Sequence, residues 1–305
     1  MVGDWGTSSL RLWALGANGG VLGERRSGEG MATLEPGAFE GVLRGHLAAL
    51  GDVRAVLLCG MVGARQGWRE AAYVAVPADV GAVCGRVLRV AAEGLDVRIV
   101  PGLSVDDGAR CDVMRGEETQ LLGLLGREPG LTATVVMPGT HSKWVRLRNG
   151  VVAGFETAMT GELYAMLCRH SVLRHSVEAQ DGGAGSEGDA FGRGVALGVG
   201  EPGGLSRSLF GVRAAGLLRG EGGAHAAAML SGLLIGAEVG GARPGGEAVA
   251  GEVVLVAQGV LAERYGAALR GVGCAVRVLD AEELSRDGLL HVARRVWPER
   301  LGDGR

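Results

Sequence analysis

The stretch Asp4-Trp5-Gly6-Thr7-Ser8-Ser9 leads into an apolar run, Leu10 to Leu15, an Asn18-Gly19 turn and a return run from Gly20. The same plan recurs at Pro138-Gly139-Thr140-His141-Ser142-Lys143-Trp144, followed by Val145-Arg146-Leu147, an Asn149-Gly150 turn and a return run Val151 to Phe155. Asn-Gly between alternating runs signals a β-hairpin, because a type I′ turn needs positive φ at both central residues. A Gly-Thr turn between strands points backbone N–H groups and a hydroxyl outward, an arrangement that holds phosphate. Two such turns, one in each half of the chain, suggest two jaws on one polyphosphate, as in a nucleotide-dependent phosphotransferase.

Outward from these turns the order of elements repeats. The first half reads as strands at 1–5, 9–15 and 20–27, a helix at 37–50, a buried strand at 53–58, a helix at 78–92, a strand at 97–100 and a helix at 117–125. The second half opens with a strand at 133–137 and its hairpin, then a helix at 161–169 and a Gly-rich loop at 182–188. Further helices follow, with strands at 252–257 and 276–279, a helix at 261–269 and a final helix. Three antiparallel strands followed by alternating helix and strand, done twice, predict an α/β protein with mixed sheets. At 305 residues two domains are expected, and the junction falls near Gly130-Leu131, giving domains 1–130 and 131–305.

Composition narrows the function classes. The formal net charge of −3, without any Lys/Arg-rich block, disfavours nucleic acid as a partner. The five cysteines are scattered and include no C-x-x-C pair, which reads as buried or idle thiols in a reducing, cytoplasmic compartment. The N-terminus shows no signal-peptide pattern. The most membrane-like stretch, Ala226 to Val239, is short for a span and carries Glu238; no membrane partner is expected. Its Gly232, Gly236 and Gly240 share one helical face, suited to close packing within the domain or across a homodimer.

Asp4 ends the first strand beside the first turn, where a carboxylate would hold Mg²⁺ through water. His141 and Lys143 flank the second turn and are candidates to touch phosphate. Met114-Arg115-Gly116-Glu117-Glu118 opens an apolar helix; an acid there could take the proton of an attacking hydroxyl, and Arg115 could bind a substrate carboxylate with its two-pronged donor. Arg65, Trp68, Glu70 and Tyr73, crowded among glycines after a buried strand, suit a small polar ligand such as a sugar acid.

At DWGTSSLR (4–11), GMVGARQGW (60–68), VPGLS (100–104), DVMRGEETQLLG (112–123), MPGTHSKWV (137–145), TAMTGELYAML (157–167) and LSGLLIGAEV (230–239) the chain resembles the 2-dehydro-3-deoxygalactonokinases. The likeness runs through nearly the whole length. It implies two duplicated actin-like ATPase domains of the ribonuclease H-like kind, closing around a cleft. It further implies ATP- and Mg²⁺-dependent phosphorylation of 2-dehydro-3-deoxy-D-galactonate at O6. By the same resemblance Asp4, Gly6, Thr7 and Ser8 form the first phosphate loop, and Gly139, Thr140, His141 and Lys143 the second. Gln258 and Gly259 lie at the adenosine site, and Glu118, then Glu117, is the catalytic base. Met1-Val2-Gly3 gives a shorter first strand than the resemblance leads one to expect. The alternatives carried beside this reading are a kinase for the gluconate epimer, a phosphohydrolase of the same superfamily and a sugar-acid-binding regulator.

Overall fold

The computed structural model of the protein describes residues 1–16, 18–51, 53–178, 187–242, 249 and 252–301. The chain forms two compact units. The first comprises Met1–Thr132, Leu147–Gly154 and Asp280–Arg305; the second comprises Ala133–Arg146 and Phe155–Leu279.

In the first unit β1 (Val2–Trp5), β2 (Leu10–Leu15), β3 (Val21–Ser27), α1 (Phe39–Leu47) and β4 (Ala55–Gly60) are followed by the two-residue β5 (Val74–Ala75) and α2 (Val80–Cys84). Then come β6 (Leu88–Ala92), β7 (Leu95–Ile99), β8 (Leu103–Asp106), β9 (Cys111–Met114) and α3 (Glu117–Arg127). The main sheet has the order β3-β2-β1-β4-β7-β6. β1 is antiparallel to β2 and parallel to β4, so even this short strand is paired on both sides. The alternation of buried Trp5, Leu10, Leu12, Val56, Leu58, Val97 and Ile99 packs one core with Phe39, Leu43 and Leu47 of α1. That burial is the main force holding the unit.

The second unit contains β10 (Ala133–Met137), most of β11 (Ser142–Arg148) and the second half of β12 (Val151–Ala158), whose hairpin end at 147–154 belongs to the first unit. Then come α4 (Thr160–His170), α5 (Arg174–Val177), α6 (Glu187–Gly200), α7 (Leu205–Arg219), α8 (Gly223–Gly241), β13 (Glu252–Val256), α9 (Gly259–Gly271) and β14 (Ala275–Leu279). Its sheet runs β12-β11-β10-β13-β14, with β10, β13 and β14 mutually parallel. Each unit thus carries a hairpin strand pair, then the first strand, then parallel neighbours: the duplicated mixed-sheet α/β plan of an actin-like ATPase fold.

Three departures from the sequence reading have physical causes. The expected helix 78–92 is the short α2, capped by the Asp79 carboxylate on the Ala82 N–H at 2.8 Å, followed by β6. Residues 88–92 and 95–99 form an antiparallel hairpin around Gly94 at φ +69. A small third sheet, β5-β8-β9, was not foreseen. Of the two Asn-Gly turns, only Asn149 (φ 48) and Gly150 (φ 78) both adopt positive φ. At the first, the Asn18 side chain instead accepts the Gly20 N–H at 2.9 Å. Most of the Gly-rich loop expected at 182–188 lies outside the described residues.

A division at 130/131 leaves out the return of the C-terminus to the first unit. α10 (Ala281–Val296) and α11 (Pro298–Leu301) belong there, and α10 packs on α3. The contact requires glycine twice: a Cβ on Gly123 would lie 2.1 Å from the Leu284 carbonyl oxygen, and one on Gly288 would lie 1.9 Å from that of Thr119. Trp297 then donates to Asp96 at 2.7 Å.

In α8 the glycine stripe packs inside its own unit. A Cβ at Gly232 would meet the Phe191 carbonyl oxygen at 2.2 Å, and one at Gly236 that of Val195 at 2.4 Å, so the stripe interlocks with α6. Among the described residues α8, with 19 residues, is the one helix long and apolar enough to cross a membrane, and 72% of its apolar window is buried within the protein.

Candidate functional site

The first Gly-Thr turn is closed by the Gly6 N–H donating to the Ser9 carbonyl oxygen at 2.9 Å. Gly6 therefore spends its N–H within the turn, while Thr7 and Ser8 are exposed. The backbone of Met31 and Ala32 donates to the Gly6 and Thr7 carbonyl oxygens at 3.0 and 2.9 Å, bracing the turn from behind. Asp4 sits opposite Cys59 in the β1–β4 register. Desolvation pushes the Asp4 carboxyl above its usual range, against the charge of Arg11 and a hydrogen bond from the Cys59 thiol. Gly60, at φ +87, keeps clear the space beside it: a Cβ there would lie 3.1 Å from Asp4 Oδ1.

The N-terminus of α3 meets this corner. Gly116, at φ +109, lies so that a Cβ would be 3.6 Å from Gly60 Cα. Glu118 turns inward and is 1% exposed. Its carboxyl accepts the Gly116 N–H at 2.6 Å and the Thr119 hydroxyl at 3.1 Å. The Cys59 thiol, hydrogen-bonded to both Thr119 and Asp4, links the two carboxyls. Burial, reinforced by the Glu117 charge, pushes Glu118 up to about 8. Glu117 is half-buried, and its Oε2 accepts the Arg115 N–H at 3.1 Å.

Exposure separates the two acids: Glu118 is buried, whereas Glu117 is half-buried. A proton acceptor must reach the substrate hydroxyl. The sequence held the signal: Glu118 is in phase with Leu121, Leu122 and Leu125, the buried face of α3.

Arg115 is the most informative of the substrate candidates. Nη2 donates to the Ala71 carbonyl oxygen at 2.7 Å, and the guanidinium lies 4.4 Å from the centre of the Tyr73 ring. Nε and Nη1 are buried with no hydrogen-bond partner among the described residues. Gly63 makes the room, since a Cβ there would lie 2.9 Å from Nη1. Arg65 and Glu70 form an exposed ion pair at 3.6 Å. Trp68 does not join them; it stacks on Phe39 at 6.4 Å and packs on the core.

In the second unit Gly139, Thr140 and His141 form the outward turn. α4 starts hard against it: a Cβ on Gly161 would lie 2.3 Å from the Gly139 carbonyl oxygen, and the Glu162 N–H donates to that of Thr140 at 3.0 Å. His141 pairs with the Glu162 carboxylate. Lys143, expected on phosphate, is turned inward at 5% exposure and donates to the Thr157 hydroxyl at 2.8 Å. Gln258 and Gly259 are exposed at the C-terminal end of β13, where Gly259 opens α9 at φ +54.

The family model for 2-keto-3-deoxy-galactonokinase matches residues 4–292. The chain belongs to this family of carbohydrate kinases. A Rhizobium meliloti (strain 1021) protein named as a probable 2-dehydro-3-deoxygalactonokinase is 48% identical, covering 97% of this chain and 96% of its own. The 2-dehydro-3-deoxygalactonokinase of Escherichia coli (strain K12) is 35% identical over 96% and 97% of the two chains. A crystal structure from Sinorhizobium meliloti under the same kinase name superposes with a TM-score of 0.90 at 46% identity, covering 97% of this chain and 99% of that one.

Within this galactonokinase-family chain, reasoning from sequence missed Cys59 and Thr119 as the hydrogen-bond partners of the Asp4 and Glu118 carboxyls. The Cys59 thiol read as idle because its pairing with Asp4 depends on strand register. Glu118 also makes a prediction. A carboxyl raised to about 8 favours the folded state fully at low pH, and loses that contribution as pH rises from its ordinary value through about 8. The wild-type melting temperature should therefore fall relative to Glu118→Gln by several degrees between about pH 5 and pH 9, on the order of a few kcal/mol. Parallel melting curves across that range would show that the carboxyl is already ionised.

Proposed function

We propose that the protein transfers the γ-phosphoryl group of ATP to O6 of 2-dehydro-3-deoxy-D-galactonate, giving ADP and the 6-phosphate. The observation that carries the substrate class is Arg115, a guanidinium with two unpartnered buried nitrogens, whose own N–H is held by a half-exposed carboxylate two residues away. An anion receptor next to a proton acceptor fits a hydroxylated sugar acid. The relatives' names supply the particular acid and the phosphoryl donor class.

In this reading the O6 hydroxyl attacks the γ-phosphorus as its proton passes to Glu117, and the bond to the β-phosphate oxygen breaks. Thr7 and Ser8 of the first Gly-Thr turn, and Gly139, Thr140 and His141 of the second, are the candidates for phosphate oxygens, and Gln258 and Gly259 are those for the adenosine. Arg115 holds the sugar-acid carboxylate, which fixes the distance from the far end of the substrate to the base. Positioning and charge stabilisation supply most of the barrier reduction, since phosphoryl transfer asks little covalent chemistry of the protein.

The donor set fits Mg²⁺ shared with phosphate. A single half-buried carboxylate, Asp4, beside an outward turn suits a cation that keeps most of its water. Among the described residues no group of three or more His, Cys, Asp or Glu could form an all-protein cage. Bound there through water to Asp4, Mg²⁺ would neutralise phosphate charge. The described cysteines are all unpaired, which supports the cytoplasm as the compartment.

The test is ADP release with Mg-ATP and a panel of 2-dehydro-3-deoxygalactonate, its gluconate epimer, galactonate, glycerol and glucose. ADP release confined to the 2-keto-3-deoxy acids, with the galactonate-derived acid ahead, is the expected result. Equal release without any acceptor would instead indicate a phosphohydrolase, and silence across the panel from a folded protein that binds ATP a regulator.

A further inference from the structure

Glu238 is the only carboxylate in α8, the apolar helix of the second unit. Placing a charge there costs desolvation, which pushes its carboxyl above the ordinary range. The structure shows what that carboxyl gathers. Oε1 accepts the Trp144 indole N–H at 2.6 Å, and Oε2 accepts the Tyr265 hydroxyl at 2.6 Å. The hydroxyls of Ser142 and Thr160 also hydrogen-bond to it, and Ser142 Oγ lies 2.9 Å from the Tyr265 hydroxyl. Four donors match the lone-pair capacity of one carboxylate.

These donors come from three places that matter together. Ser142 and Trp144 begin β11 directly after the turn Gly139–His141. Thr160 is the first residue of α4, the helix whose Gly161 presses on that turn. Tyr265 lies two turns into α9, the helix that Gln258 and Gly259 open. The side-chain cluster therefore ties the second Gly-Thr turn, the helix braced against it and the helix of the adenosine candidates to one buried anchor. We infer that Glu238 is a positioning residue for nucleotide: by holding Ser142, Trp144, Thr160 and Tyr265 it fixes the spacing between the phosphate turn and the start of α9. The inference rests on the kinase reading above.

Glutamine is the discriminating replacement. It keeps the size but offers one acceptor oxygen and an NH₂ group where the carboxylate has two acceptors. The hydroxyls can reverse direction; the Trp144 N–H can only donate. With the amide oxygen kept on the Trp144 N–H, the NH₂ replaces the acceptor of the Tyr265 hydroxyl, so the hydroxyls must reverse and the charge-assisted bonds are lost, and the turn shifts relative to α9.

The experiment is calorimetric binding of Mg-ATP to wild type, Glu238→Gln and Tyr265→Phe, with KM for ATP and for the sugar acid measured on the same preparations. Expected is an increase of about tenfold or more in Kd and KM for ATP in Glu238→Gln, a smaller change in the same direction in Tyr265→Phe, and a KM for the sugar acid within about twofold of wild type. A merely structural Glu238 would lower the melting temperature and the active fraction while leaving Kd for ATP unchanged; that outcome overturns the inference alone. Equal rises in KM for both substrates also overturn it. If Glu238→Gln fails to fold, an unchanged Kd in Tyr265→Phe and in Ser142→Ala overturns it as well. Wild-type protein that binds no ATP overturns the kinase reading, and the inference falls with it.

Discussion

Replacing Glu117 by Gln should lower kcat by about 10²–10⁴ while leaving KM for both substrates within a few-fold. The amide keeps the shape and the hydrogen bond from the Arg115 N–H, which Glu117 accepts at 3.1 Å, but it cannot take the O6 proton at the transition state. Glu118→Gln is the matched control. Its carboxyl is 1% exposed, is held by Gly116 and Thr119, and is raised to about 8. At neutral pH such a group is mostly protonated and is a poor proton acceptor. Its replacement should cost less than tenfold in kcat and show instead in the pH dependence of stability. Steady-state rates of the two variants, on protein matched for folded fraction, decide between them. A large loss in Glu118→Gln with near-normal turnover in Glu117→Gln would return the base to Glu118 and require an opened form of the α3 N-terminus.

Features carried by local pattern were legible before the fold was known. The repeat of Gly-Thr turn and hairpin located β1 to β3 and β10 to β12, because Asn-Gly turns and period-two alternation are local signals. The glycine stripe of α8 announced a close helix contact, and Gly232 and Gly236 make it with α6. Features set by long-range register or by the return of the chain were not legible. Nothing near Cys59 shows that it faces Asp4, since that depends on β1 pairing in parallel with β4. Nothing near residue 280 shows that α10 packs on α3, although the small residues Gly123 and Gly288 at that contact were in view. Helix 78–92 failed for another reason. The alternation within 88–92 and 95–99 was masked by the alanines and by the capped turn before it, and only Gly94 marked the hairpin. At the candidate site, Arg115, Glu118 and Glu117 were named from their place at the start of an apolar helix and from the family resemblance, with Glu118 ahead of Glu117. What the sequence could not supply was that two nitrogens of Arg115 are left without partners, which is a property of the packing of Gly63, Ala71 and Tyr73 around it.

That packing carries the second large effect. Arg115→Ala should raise KM for the sugar acid by about 10- to 100-fold and leave KM for ATP within about twofold. The magnitude follows from losing one or two charge-assisted hydrogen bonds, each worth about 1.5–3 kcal/mol. Arg115→Lys should recover little of it. An ammonium has one nitrogen where the guanidinium presents three, and it cannot both hold the Ala71 carbonyl oxygen and meet a carboxylate in a planar two-point contact. Tyr73→Phe keeps the ring under the guanidinium and should behave as wild type. The assignment is separated from a loss of local structure by the substrate. An analogue carrying a hydroxymethyl group in place of the C1 carboxylate should be a poor acceptor for the wild type, and no poorer for Arg115→Ala. If the variant loses as much with the uncharged analogue as with the acid, Arg115 supports the fold of the corner and the carboxylate is held elsewhere. If KM for ATP rises in step with that for the acid, the guanidinium serves phosphate instead, and Arg65 becomes the candidate for the carboxylate.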